Sequence, residues 1–322
     1  MDWINHLLAS PAKHQTEGYI GPRGPAVAPN QAYVTFDVAA LWITHVRKGL
    51  SKFYGAVHGS VLIPYETGEK REFQAFNAVA SAKELDAAHL DRISQGPYRL
   101  LDSVPYRGSG IDVRIALLSV KSSDLAAPYI GLLSKVAGVA GVGFVSQALP
   151  LVNVIHDGVS ALAGGDALEI GRYGLLDPVY TGYYAIVRAD PEEVPLGQLQ
   201  FDEDTRILTL DGAPVDDHPY FVLKIAASPE RAYFQNIPEI QEAYNRMKEQ
   251  FKRTPKDFEK NLQAFDAFQV AAQLSPDLLS QHADKLVQDA RDRFARFITE
   301  ERKAVTEHAD PLALELQDLN PF

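Results

Sequence analysis

Cysteine is absent from the 322 residues. That removes disulfides, thiolate nucleophiles, iron–sulfur clusters and every zinc site that needs sulfur. It also fits a reducing compartment. An excess of positive charge is missing too: 31 Lys and Arg stand against 42 Asp and Glu, a net charge of −11. A surface of that sign is unsuited to gripping phosphate backbones, so no nucleic-acid partner is expected. The opening Met1-Asp2-Trp3-Ile4-Asn5-His6-Leu7-Leu8 has no basic n-region and runs into a polar, proline-rich stretch, so it does not read as a secretory signal. Cytoplasmic location is the expectation, with membrane association only on activation.

Catalytic signatures are missing as well. There is no G-x-x-x-x-G-K-[ST], no H-E-x-x-H, and the nine histidines form no i, i+4 pair. Gly138-Val139-Ala140-Gly141-Val142-Gly143 does not match G-x-G-x-x-G, and no strand–turn–helix unit surrounds it. His58-Gly59-Ser60 and Gly158-Val159-Ser160 fail the nucleophile elbow. No cofactor and no catalytic residue are assigned. An enzyme whose site is assembled from separated loops stays open as the alternative, because any fold can bring Ser, His and Asp together.

What is present is a globular composition, 46% hydrophobic, ample for a core. Residues 1–31 read as a short helix and a lead-in loop, since Gly18, Gly21, Pro22, Gly24, Pro25 and Pro29 crowd twelve positions. From Ala32 onward β signals dominate. Tyr33–Val38 and Leu41–Val46 are rich in β-branched and aromatic residues, and Ile111-Asp112-Val113-Arg114-Ile115 alternates as a half-buried strand should. A meander is expected to close the region: Leu199–Phe201, Arg206–Leu210, an Asp211-Gly212 turn, and Tyr220–Ile225 as the return strand. Many strands without interleaved helices predict an α+β chain whose first part, 32–236, is an antiparallel β-sandwich, a C2-like one being the nearest form.

The region 237–322 changes character. Ile240, Tyr244, Met247 and Phe251 fall at helical spacing. So do Phe258, Leu262, Phe265 and Phe268, and then Leu279, Leu286, Ala290, Phe294 and Phe297. With start signals at Ile237-Pro238-Glu239, Thr254-Pro255 and Ser275-Pro276-Asp277, three helices are expected near 238–252, 255–273 and 276–306. They would form a C-terminal helical bundle. Arg246, Lys248, Lys252, Arg253 and Lys256 make a local basic stripe that reads as a solvated helix face interleaved with Glu249 and Asp257.

One segment interrupts the β region. Between Ala126 and Ala163 the only formal charges are Lys135 and Asp157, and Val136–Ile155 carries none. That run reaches the length of a membrane span. Ser146, Gln147, Pro150, Asn153 and the glycines at 138, 141 and 143 argue against a constitutive one. Two readings remain: a pair of apolar helices, 126–137 and 143–162, packed on the sandwich as core, or a stowed membrane-active hairpin. The candidate membrane or partner interface residues are Leu132, Val136, Val139, Val142, Phe144, Val145 and Leu149. The partner is then a protein or a membrane surface, and a homo-oligomer is the further option, with this segment as its interface.

The acidic turns Asp202, Glu203, Asp204, Asp211, Asp216 and Asp217 lie within sixteen residues. Clustered Asp on sandwich loops can bind calcium, which makes Asp202, Asp204, Asp211, Asp216 and Asp217 the metal candidates. Asp is also a favoured turn residue in its own right.

Val104-Pro105-Tyr106-Arg107-Gly108 before Ile111-Asp112-Val113, Lys121-Ser122-Ser123-Asp124-Leu125, Leu168-Glu169-Ile170-Gly171 and Thr181-Gly182-Tyr183-Tyr184 resemble a family of uncharacterised bacterial proteins over about residues 45–190. The resemblance implies a bacterial, cytosolic protein and transfers no activity. The functional expectation is a non-enzymatic interaction or effector protein.

Overall fold

The computed structural model describes residues 15–44, 47–48, 51–64, 70–78, 92–95, 98–121, 168–231, 237–253 and 257–307. The chain divides into two compact units, Met1–Pro229 and Glu230–Phe322. Its fold is α+β, with antiparallel sheets in the first unit and a cluster of three helices, among the described residues, in the second.

A six-stranded sheet is built from β1 (Thr16–Ile20), β2 (Tyr33–Thr44), β6 (Arg92–Gln95), β7 (Tyr98–Pro105), β10 (Gly182–Val187) and β14 (Tyr220–Ser228). The order is β1-β10-β14-β2, and β6 and β7 both pair with β2. A five-stranded sheet contains β3 (Arg47–Lys48), β4 (Ser51–Pro64), β5 (Lys70–Ala78), β8 (Ile111–Lys121) and β9 (Leu168–Leu176). One hydrophobic cluster takes side chains from both: Phe36, Phe221 and Leu223 from the first sheet, Val61, Val113 and Ile115 from the second. A small third sheet, β11 (Leu199–Asp202), β12 (Ile207–Leu210) and β13 (Ala213–Pro214), belongs to a second cluster on the opposite face of the six-stranded sheet.

β14 shows why the larger sheet is covered twice. Phe221, Leu223 and Ile225 enter the first cluster, while Tyr220 and Val222 enter the second. A strand that is apolar on both faces belongs in the middle of a sheet. The expected meander is corrected here: the return strand after Asp211-Gly212 is Ala213–Pro214, and Tyr220–Ser228 pairs with β10 and β2 instead. The Asp211-Gly212 turn itself is present, with both residues at positive φ, 51° and 83°, as a two-residue hairpin turn requires.

β2 is one strand where two runs, 33–38 and 41–46, were expected. Val222 faces Ala40 and Leu223 faces Val38, so Ala39 is the extra residue of a β-bulge. The bulge resets the alternation: Val34, Phe36, Val38 and Leu41 all reach the first cluster, while Ala39 and Ala40 reach the second. The stretch read as a lead-in also changes role. Thr16–Ile20 pairs with β10, Ile20 and Val27 are core residues, and buried Thr16 Oγ1 donates to Ala189 O at 3.1 Å. The N-terminal helix expectation lies outside the described residues.

In the second unit α1 is Pro238–Arg253, α2 is Phe258–Gln273 and α3 is Ser280–Glu307. Their buried positions repeat with 4-3-4 spacing: Ile240, Tyr244, Met247, Phe251; Asn261, Phe265, Phe268, Ala272; Leu279, Ala283, Leu286, Ala290. This is the spacing of a helix-packing seam. Tyr244 meets Phe268 edge-on at 5.8 Å, and Phe294 stacks on both Phe251 and Phe265. Two expectations shift. Phe258 and Leu262 are 41% and 51% exposed, because the ring contacts of Phe265 and Phe268 orient α2 on a stripe through Asn261 and Ala272. Helix starts also move inward: the Asp257 side chain caps Lys260 N, and Ser275-Pro276-Asp277 is a folded turn ahead of α3. Among the described residues no helix is long and apolar enough to cross a membrane.

Candidate interaction site

Residues 126–163, with Leu132, Val136, Val139, Val142, Phe144, Val145 and Leu149, lie outside the described residues; the strands that carry them do not. β8 and β9 pair antiparallel, Ile111 with Leu176 through to Leu118 with Leu168, with a register shift between Leu117 and Leu118. β8 ends at Lys121 and the neighbouring strand, β9, begins at Leu168. Partner Cα atoms in such a pair lie about 5 Å apart. The two strands that flank this stretch in sequence are therefore paired neighbours in one sheet.

At the other end of β8 three loops come together. Val27 N donates to Val179 O at 2.8 Å, Gly24 N to Thr181 O at 3.0 Å, Asn30 N to Tyr106 O at 2.7 Å and Tyr106 N to Ala32 O at 2.9 Å. Separated sequence runs, Val104–Gly108 and Thr181–Tyr184, are thus joined through the 21–32 loop. The Tyr19 hydroxyl accepts from Tyr180 N at 3.0 Å and donates to Tyr180 O at 3.2 Å. Its ring stands edge-on to Tyr180 and Tyr184, and exposed Arg23 lies over the Tyr180 ring at 4.2 Å. Gly110 has φ +68°, and a Cβ there would sit 2.8 Å from Leu176 O, so glycine is required. Burial pushes the Tyr106 hydroxyl above its ordinary value, which keeps it protonated. This end offers aromatic and guanidinium contacts, the side-chain types that anchor protein interfaces.

The acidic turns do not converge. Asp202 and Asp204 sit at the β11–β12 turn and Asp211 at the β12–β13 turn, the opposite end of β12. Asp202 Oδ1 accepts from Asp204 N at 2.9 Å and Thr205 N at 3.0 Å, and those backbone donors hold its carboxyl below the usual range. Its oxygen already serves the turn. Asp216 and Asp217 follow β13, where Asp216 O accepts from Trp42 Nε1 at 3.2 Å. Among the described residues no three His, Asp or Glu side chains are placed to hold a metal ion.

A polar row crosses the six-stranded sheet that strand-by-strand reading could not find. Register places Tyr183 beside Lys224, Lys224 beside Asp37 and Asp37 beside Arg99. Arg99 bonds Asp37 at 2.9 Å and Asp102 at 2.8 Å, while Lys224 pairs with Glu203 from the β11–β12 turn. Burial, then its contact with Glu203, raises the Tyr183 hydroxyl, and the Glu203 carboxylate raises Lys224. Alternating charges on neighbouring strands stabilise a solvent-facing sheet row. In the basic stripe, Arg246 pairs with Glu242 and Lys252 with Glu249, so part of its charge is answered within α1; Lys256 lies outside the described residues.

Compared with protein-family models, with curated proteins and with solved structures, the chain matches none.

Proposed function

We propose that the protein is a non-enzymatic interaction or effector protein of bacterial, cytosolic type. It acts through the apolar insertion 126–163 on a protein partner or a membrane surface, with the two larger sheets forming a C2-like sandwich as its scaffold. The observation that carries the reading is the strand pair at the insertion's base, Leu118 opposite Leu168. A segment that leaves and returns between two paired strands can change its surroundings while the ladder that holds it stays intact. The absence of formal charge over Val136–Ile155 suits an apolar acceptor. The small residues Gly138, Ala140, Gly141 and Gly143 suit close helix approach in lipid.

The test is dye release from anionic liposomes together with flotation, for intact protein and protein nicked by limited proteolysis. Release or flotation that follows nicking and is lost in Gly141→Glu supports the membrane surface. Cleavage within 126–163 well before the strands, without release, supports a protein partner. An insertion that resists protease as long as β4 and β8, in protein that neither floats nor releases dye, is core, and the proposal falls.

A further inference from the structure

The turn between β12 and β13 holds a reactive pair. Gly212 has no side chain to shield its backbone nitrogen, and apart from its chain neighbours nothing lies within 4 Å of where a Cβ would stand. Asp211 and Gly212 are both exposed. Among the described residues the Gly212 N–H donates to no acceptor, and the Asp211 carboxylate is in no hydrogen bond or ion pair; Asp211 N donates to Gln198 O at 3.4 Å. The other acidic positions of this region differ. Asp202 Oδ1 is held by two backbone donors, and Asp202, Asp204 and Asp216 are each followed by a residue that carries a side chain, Glu203, Thr205 and Asp217. The ladder that closes the Asp211-Gly212 turn is short. β13 is two exposed residues at the edge of its sheet, with Ala213 facing Leu210 and Pro214 facing Thr209. Pairings that are few and exposed to solvent open locally with little free energy.

We infer that Asp211 is a site of spontaneous main-chain modification, passing in the folded protein through a succinimide to isoaspartate. The inference is independent of the insertion. In the first step the Gly212 nitrogen attacks Asp211 Cγ. An N–Cγ bond forms, and a carboxyl oxygen leaves as water, taking the amide proton and the acid proton. Water then reopens the ring at one of its two carbonyls. Opening at Asp211 C breaks the original peptide bond to Gly212 and leaves the chain running through Cβ and Cγ. Neither step needs an oxidant, a metal or a cofactor. The nitrogen reaches Cγ only when the main chain rotates out of the turn, so the short ladder matters as much as the residue pair. Isoaspartate adds one backbone atom to a turn whose two residues set the register of β12 on β13. Beyond the turn, Val215 N donates to Leu208 O at 2.9 Å, and both residues are buried in the second cluster. The change is therefore confined to the exposed tip, and the third sheet keeps its place on the larger one.

The test holds the full chain in neutral buffer at physiological temperature for several weeks, digests samples, and locates isoaspartate by electron-transfer fragmentation. Peptide mapping separates Asp211 from Asp157-Gly158, the other Asp-Gly pair of the sequence. A synthetic peptide of residues 206–216 gives the rate of an unrestrained chain. Isoaspartate at Asp211 should form within tenfold of the peptide rate and at least tenfold faster than at Asp202, Asp204 or Asp216, while circular dichroism stays unchanged. Asp211→Asn should reach the same product faster, with ammonia as the leaving group. The opening step is read with Thr209→Cys and Pro214→Cys together. These positions face each other, next to the hydrogen-bonded pair that closes the turn, where Cα atoms lie about 4.5 Å apart, within disulfide reach. No other cysteine competes. The oxidised variant should convert several-fold more slowly than the same protein reduced. Three results would overturn the inference: conversion more than tenfold below the peptide, no excess over the other three aspartates, or equal rates in the oxidised and reduced variant.

Discussion

Removing the carboxylate of Asp277 should unfold the helical unit at a much lower temperature than any surface change. Arg231 Nη1 donates to Asp277 O at 3.1 Å and lies 3.7 Å from Asp277 Oδ1, with the two side chains 4% and 0% exposed. Asp277 N in turn donates to Ser275 Oγ, which donates to Glu239, so the pair ties the start of the unit to the α2–α3 turn and to the first turn of α1. In Asp277→Ala the backbone carbonyl remains, but the buried guanidinium loses the Asp277 carboxylate. Breaking a buried pair this way costs about 3–5 kcal/mol. For a unit of under ~100 residues each kcal/mol moves Tm by about 4–8 °C, so a fall of roughly 12 °C or more is expected. Replacing both partners by apolar residues, Arg231→Met with Asp277→Leu, removes the buried guanidinium along with the carboxylate and should recover most of that loss. Calorimetry and urea denaturation of the wild type, the single variant and the double variant decide it. A single-variant cost below about 1 kcal/mol, or a double variant as unstable as the single, would show that the guanidinium is not dependent on Asp277, contrary to the reasoning.

Burial raises the Tyr244 hydroxyl to about 12. A phenol whose value is raised on folding contributes fully below its unfolded value near 10, and that contribution is lost as pH rises through 12, at most about 2–3 kcal/mol. Urea denaturation at pH 8 and pH 12 should therefore show an alkaline loss in wild type that is smaller in Tyr244→Phe. Gly110→Ala adds a Cβ at φ +68° against Leu176 O, so a cost above about 1 kcal/mol is expected in chemical denaturation; a neutral result would mean that the loop relaxes freely. Tyr19→Phe leaves the Tyr180 N–H and carbonyl without their hydroxyl partner and should cost about 1–3 kcal/mol by the same assay. Calorimetric titration with millimolar calcium should give no binding heat, because Asp202 and Asp211 sit at opposite ends of β12; saturable heat lost in Asp202→Ala would contradict that placement.

Local physical chemistry made much of this chain legible without coordinates. The alternation Ile111-Asp112-Val113-Arg114-Ile115 places Ile111, Val113 and Ile115 in the core, because a strand's side chains alternate whatever it pairs with. The α1 stripe of Ile240, Tyr244, Met247 and Phe251 is buried as its period requires. The Asp211-Gly212 turn was readable because positive φ at two successive residues selects for such a pair. Burial of Arg231 and Asp277, by contrast, had no sequence signal: each is an ordinary charged residue until the α2–α3 turn brings it to the other.

Composition and periodicity by themselves determined many of the strands of the first unit, the helices of the second, the low charge of 126–163 and the absence of cysteine chemistry, since each follows from neighbours a few residues apart. Tertiary structure alone decided which strands are neighbours. It moved Tyr220–Ser228 to the middle of the main sheet, recruited Thr16–Ile20 to its edge, and lined up Tyr183, Lys224, Asp37 and Arg99 across four strands. It also turned α2 so that Phe258 and Leu262 face out. The reason is common to all of these: pairing and helix rotation depend on residues far apart in the chain, and their free energy is gained only when both faces of an element find something to bury against.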